Sequence, residues 1–259
     1  MVFGSASRRC GARSLRKAAS EGCVKFVSTL YLVRHAQASF LSDNYDRLSE
    51  HGRSQARALG QAWHARKLRL DRVLSGPRER QRDTASEVLG VLGVQQCSLE
   101  SVAAFDEYPA EEVLGGFAPE MQEQREFSQL FADAQQSADP RARGRAFDKL
   151  LQHALRLWAA GRTPRGVDSH VTFERRVHEA FSELIQGQGS GRSLALFSSA
   201  GTIGAIVGHV LGTDVARRLE LGWSLNNASV SEIAFSAGRV SLVRFNDVGH
   251  LPHGTWTRR

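Results

Sequence analysis

Arg34 and His35 stand together at the end of an apolar run, Thr29-Leu30-Tyr31-Leu32-Val33. A short run rich in β-branched and aromatic residues reads as a buried strand, so it delivers the charged pair to its carboxyl end. Open α/β sheets place their ligand sites at that end. A neutral imidazole is a nucleophile and a proton carrier near pH 7, and a guanidinium keeps its charge and forks onto oxyanions. The pair therefore has the means to work on an anionic substrate, although a lone Arg-His pair more often serves structure. Elsewhere, Arg78, Arg80 and Arg82 crowd one helix start, which by residue type alone is a solvated basic face. Asp106 and Glu107 form an acid pair where a long helical stretch begins, and Ser198-Ser199-Ala200-Gly201 is a polar turn feeding a helix N-terminus, a place that favours anions.

The elements that must position these groups follow from pattern. Ser49 can cap a helix running to about Lys67, with Ala56, Leu59 and Trp63 at helical spacing. Val73-Leu74-Ser75 is a second strand, Gly76-Pro77 a turn, and about Arg80 to Leu92 a helix with Thr84, Val88 and Val91 inward and Gly93 closing it. Between about Asp106 and Arg165 helical spacing takes over, most plainly in Phe147, Leu150, Leu151, Ala154, Leu157 and Trp158. Phe173, Val177, Phe181 and Leu184 mark another helix; Val230–Phe235 and Val240–Phe245 a terminal hairpin. The uncharged stretch Ser193–Thr213 carries too many glycines and hydroxyl residues for a membrane span. It divides into a strand (Leu194–Phe197), a turn and a short helix (Ile203–Leu211).

Composition narrows the class. With 259 residues, 41% hydrophobic and 24% charged, the chain can bury one large core. Cys10, Cys23 and Cys97 are odd in number and lie at no metal-like spacing, which favours a reducing, cytoplasmic setting. Of the formal charge of +7, +5 falls within residues 1–27, a basic extension expected to be disordered, so the remainder carries no footprint for nucleic acid. The extension has no apolar core of a secretory signal, and its Arg/Ser-rich composition is shared by transit peptides and by plain basic tails.

Taken in order, these segments resemble the histidine phosphatase superfamily, in its phosphoglycerate-mutase-like branch, over nearly everything from Thr29 to His250. Leu30 to Ser39 is similar to the signature in which a strand ends in Arg-His-Gly, with Ala36 at the glycine. Asp43-Asn44-Tyr45-Asp46-Arg47-Leu48-Ser49-Glu50-His51-Gly52 resembles the helix start that follows it. Ser75 to Ala85 resembles the turn carrying the family's phosphate-binding arginine, which falls on Arg80, with Arg78 and Arg82 left as solvated neighbours. Phe105-Asp106-Glu107-Tyr108 resembles the acidic position and implies Glu107 as proton donor, Asp106 being the alternate. Asn226 to Val230 and Asn246 to Leu251 look like late structural segments, with His250 a minor site candidate. In Phe197 to Ile203 the chain departs from the family: Ser199 stands where a second histidine is usual. Its hydroxyl can still donate to an oxygen, and loss of one such donor typically costs about 10²–10³ in rate.

The resemblance implies an α/β fold: a three-layer sandwich with a mostly parallel central sheet flanked by helices, plus a helical cap insertion at about 106–165, all within residues 28–259. It implies a metal-independent and cofactor-free phosphatase that hydrolyses a small phosphorylated substrate through phosphohistidine on His35. Arg34, Arg80 and Ser199 would hold the phosphoryl group, and Glu107 would act as acid and then base. Two alternatives stand beside it: a phosphate-binding pseudoenzyme, favoured by Ser199, and a phosphoglycerate-type mutase, which Ser199 disfavours. Neither membrane nor nucleic acid is an expected partner, and neither substrate identity nor oligomeric state is legible.

Overall fold

The apolar run around Leu30 forms β1 (Ser28–Arg34), and its side chains alternate between two cores. Leu30 and Leu32 enter one, Val33 the other, as the two-residue period of a strand buried on both faces requires. The structure, a computed structural model, describes residues 27–39, 46–93 and 98–258. The basic extension up to residue 26, Asp43 to Tyr45 and all three cysteines lie outside the described residues.

After β1 come α1 (Glu50–Ala65), β2 (Arg72–Ser75), α2 (Glu79–Leu92), β3 (Leu99–Ser101) and a 3₁₀ turn (Ala103–Phe105). Three helices follow, α3 (Ala110–Gln122), α4 (Arg125–Gln136) and α5 (Pro140–Ala159), then α6 (His170–Gln186). The chain ends with β4 (Ser193–Ser198), α7 (Ala200–Leu211), α8 (Val215–Ser224), β5 (Val230–Ser236) and β6 (Arg239–Asp247). The sheet order is β3-β2-β4-β1-β5-β6; the first four strands are mutually parallel, and β5 and β6 are antiparallel. One face packs on α1 and α2 through Leu59, Trp63 and Val88; the other packs under α5, α6 and α7 through Trp158, Phe181 and Ile206.

Several local expectations meet their physical reasons here. Ser49 caps α1, its side chain accepting from the Gly52 N–H, and the helix stops at Ala65, two residues short of the expected end, because Lys67 takes a left-handed φ of 53°. Gly93 closes α2 at φ 67°. α7 starts at Ala200, three residues before the expected Ile203. Two elements carried too weak a pattern to be foreseen. β3 is a three-residue edge strand, and α8, capped by Asp214, packs onto α7 where Gly204 and Gly222 meet. Among the described residues no helix is long and apolar enough to cross a membrane.

Candidate active site

β1 and β4 are neighbours, so their carboxyl ends open at the same place, and the His35 N–H donates to the Ser198 carbonyl at 2.8 Å. The His35 ring is buried; its Nδ1 lies 2.8 Å from the Ala36 carbonyl and its Nε2 3.2 Å from Arg80 Nε. A carbonyl can only accept and a guanidinium can only donate, so Nδ1 carries the proton and Nε2 carries the lone pair. Burial, reinforced by the Arg80 and Arg34 charges, holds the ring's pKa well below the usual histidine value. The imidazole is thus neutral with its basic nitrogen turned toward cations.

The loop holding His35 is fastened from several sides. Its carbonyl accepts from Asn227 Nδ2 at 3.2 Å, and the Ala36 N–H donates to Thr84 Oγ1 at 3.0 Å. Arg34, also buried, donates to the Leu225 carbonyl at 2.5 Å and the Arg258 carbonyl at 2.8 Å. Arg80 sits in the first turn of α2, buried, with Nη1 2.7 Å from Asp46 Oδ1; the other Asp46 oxygen accepts the Glu79 N–H. Asp46 thereby aims Arg80, a role that sequence pattern did not reveal.

Glu107 follows the 3₁₀ turn and meets the start of α7. Its carboxyl accepts from the Gly201 N–H at 3.0 Å and the Tyr108 N–H at 3.0 Å. These bonds and the neighbouring arginines favour the charged form, yet burial outweighs them and the pKa is raised above the usual glutamate value. Asp106, the alternate acid, is engaged otherwise: it forms an ion pair with Arg78 at 2.7 Å and accepts the Glu107 N–H at 2.7 Å. Arg78 is consequently no solvated neighbour, whereas Arg82 is exposed and its side chain, among the described residues, donates only to the Pro77 carbonyl.

Arg34, His35, Arg78, Arg80 and Glu107 line one cavity of about 400 Å³. Ser199 does not line it: its hydroxyl is buried beside the cavity and accepts from Gln81 Nε2 at 2.7 Å. His250 lies elsewhere, half-buried, with its buried Nε2 unpartnered among the described residues. The outer wall comes from the helical stretch and α8, with Glu111, Glu112, Leu151, Gln152 and Trp223. Arg258 also lines it, carried in by a C-terminal arm that Gln55 holds through the Thr255 carbonyl and the Thr257 hydroxyl. No local signal marked Arg258, since the Arg34 and Gln55 side chains that anchor its arm lie more than two hundred residues earlier in sequence. Among the described residues, no group of three or more His, Cys, Asp or Glu side chains is arranged to hold a metal ion.

A buried neutral imidazole, guanidinia able to hold an oxyanion and a carboxyl group with raised pKa thus surround one opening. The chain is similar in fold to "Mycobacterial hydrolase 1" (22% identity, TM-score 0.58, 85% of this chain and 99% of that one). It is likewise similar to a mycobacterial glucosyl-3-phosphoglycerate phosphatase bound to inorganic phosphate (21% identity, TM-score 0.59, covering 86% and 99%). A phosphoglycerate mutase from Bacillus anthracis str. Sterne also matches (16% identity, TM-score 0.59, covering 87% and 96%). No curated protein matches by sequence. The family model for the histidine phosphatase superfamily (branch 1) matches residues 30–160 and 142–248, spanning both the Arg34-His35 strand end and the Ser199 turn, and the chain belongs to that superfamily.

Proposed function

We propose that the chain is a metal-independent phosphatase that hydrolyses a small phosphomonoester through a phosphohistidine on His35. The observation that supports this most directly is the state of the His35 ring, with Nδ1 donating to Ala36 and the Nε2 lone pair turned to Arg80 beside the cavity. An incoming phosphoryl group draws the Arg80 guanidinium onto its oxygens and leaves Nε2 in line with phosphorus. Nε2 forms the P–N bond as the ester P–O bond breaks, and Glu107 transfers its proton to the departing alkoxide. The resulting Glu107 carboxylate takes a proton from water, whose oxygen forms the new P–O bond as P–N breaks. Orthophosphate leaves, with His35 neutral and Glu107 protonated again. Arg34 and Arg80 balance charge on the oxygens throughout.

The leaving group would occupy the wall formed by α3, α5 and α8, which is where substrate choice resides. A cytoplasmic setting belongs to the same proposal. The test is hydrolysis of para-nitrophenyl phosphate by the wild type and His35→Ala, with chelator present, together with acid-labile, base-stable phosphate on the wild type after rapid quenching. Turnover that ignores chelator and vanishes in the variant is the expected result. Absence of turnover with orthophosphate binding intact would favour a binding pseudoenzyme, the reading suggested by a Ser199 hydroxyl engaged by Gln81 rather than lining the cavity.

A further inference from the structure

We propose that Arg78 is a third phosphoryl-binding cation of this site, held by Asp106 so that its free edge takes an oxygen of the bound group beside Arg34 and Arg80. The proposal rests on the phosphatase reading and deepens it.

A phosphoryl group in transfer spreads its charge over three non-bridging oxygens, each of which needs a donor. Much of the donor capacity of the two expected arginines is engaged: Arg34 through Nη1 and Nη2 to backbone carbonyls, Arg80 through Nε to His35 and Nη1 to Asp46. Ser199, the expected extra donor, does not line the cavity, and its oxygen is held by the Gln81 amide. Arg78 does line it, with His35 and Glu107, and its charge contributes to the lowered basicity of His35.

The geometry of Arg78 suits the task. Its Nε and Nη2 fork onto the two Asp106 oxygens at 2.7 and 3.4 Å, which uses one edge of the planar guanidinium. Nη1 makes no hydrogen bond among the described residues, so the end-on edge is open. The ion pair reduces Arg78's worth as a bare charge while fixing the direction of its remaining N–H groups, which preorganises them. The backbone is fixed too. The Arg78 N–H donates to Gln81 Oε1 at 3.1 Å, and fully buried Gln81 ties that turn to the end of β4 through Ser199. Asp106 also accepts the Glu107 N–H, so a single carboxylate orients both the third cation and the proton donor.

Arg78 serving only as a fastener for Asp106 is the competing role, and anion binding separates the two. Orthophosphate and orthovanadate affinity would be measured by calorimetry and by inhibition for the wild type, Arg78→Ala, Arg78→Lys and Asp106→Asn, with the exposed Arg82→Ala as control and a melting curve for each. The expected result is binding weakened roughly ten- to hundredfold in Arg78→Ala, less in Arg78→Lys, less again in Asp106→Asn, where the guanidinium survives but is no longer aimed, and retained to within about threefold in Arg82→Ala. Unchanged affinity in a folded Arg78→Ala or Arg78→Lys would overturn the proposal. So would equal weakening in Asp106→Asn and Arg78→Ala, because the guanidinium survives in the former. If the wild type binds neither anion, the phosphatase reading falls and this one with it.

Discussion

Gly201→Ala tests the junction on which Glu107 depends. Gly201 lies in the first turn of α7, where an alanine would ordinarily gain about 1 kcal/mol in helix propensity. The site forbids that gain: a Cβ there would stand 2.1 Å from Tyr108 Cε1 and 2.3 Å from Glu107 Oε1. Tyr108 cannot withdraw easily, being buried with its ring edge-on to Trp158 and Phe173, at centroid distances of 6.0 and 5.7 Å. Overpacking of this kind costs about 1–3 kcal/mol, so the net loss reaches about 2 kcal/mol after the propensity gain is set against it. At roughly 2–4 °C per kcal/mol for a chain of this size, the melting temperature should fall by up to about 8 °C. A displaced carboxyl group should also slow catalysis, since about 1 Å of misplacement can cost on the order of 10²-fold. Melting curves and kcat/KM on para-nitrophenyl phosphate would be read together. A variant that melts higher than the wild type and turns over at full rate would refute the close approach. A stable variant with lost activity would show that Glu107, rather than Tyr108, is what yields.

Other consequences can be checked the same way. Glu107→Gln should slow hydrolysis by about 10²–10⁴ for an alkyl phosphate and by much less for para-nitrophenyl phosphate, whose leaving group needs little protonation; equal losses would argue against the proton-donor role. The pH profile of kcat/KM should have an acid limb below the usual histidine pKa, set by His35, and an alkaline limb above the usual glutamate value that disappears in Glu107→Gln. Ser199→Ala removes the acceptor of a buried Gln81 amide and should cost about 1–3 kcal/mol in stability; a large loss of phosphate affinity with the melting point unchanged would instead return Ser199 to the phosphate site. Burial lowers the His250 pKa to about 4, so the folded state binds fewer protons than the unfolded chain between that value and 6.5. Stability from this group is full above about pH 6.5 and is lost as pH falls toward 4, by about 3 kcal/mol. His250→Asn should flatten that part of the acid-melting curve, and an unchanged slope would exclude His250 as a main contributor.

The sequence by itself determined whatever is written in consecutive residues. The run before Arg34-His35 is a strand because its β-branched, aromatic and apolar side chains suit a pleated backbone buried on both faces, and Ser49 begins a helix because its hydroxyl reaches the Gly52 N–H three residues on. The stripe Phe173, Val177, Phe181 and Leu184 is buried along one face of α6 for the same reason of local periodicity. Only the tertiary structure decided which charged groups share a cavity. Arg78 and Arg82 are equivalent by type and nearly adjacent, yet Arg82 lies on an exposed face of α2 while Arg78, on the extended backbone just before the helix, pairs with Asp106, 28 residues away. Ser199, expected from sequence as a phosphate donor, lies off the cavity lining and accepts from Gln81, 118 residues earlier. Arg258 reaches the site because Gln55 and Arg34 anchor the arm that carries it. Hydrogen bonds and ion pairs act over a few ångströms in space whatever the separation along the chain, so their partners become readable only after the sheet and helices have brought them together.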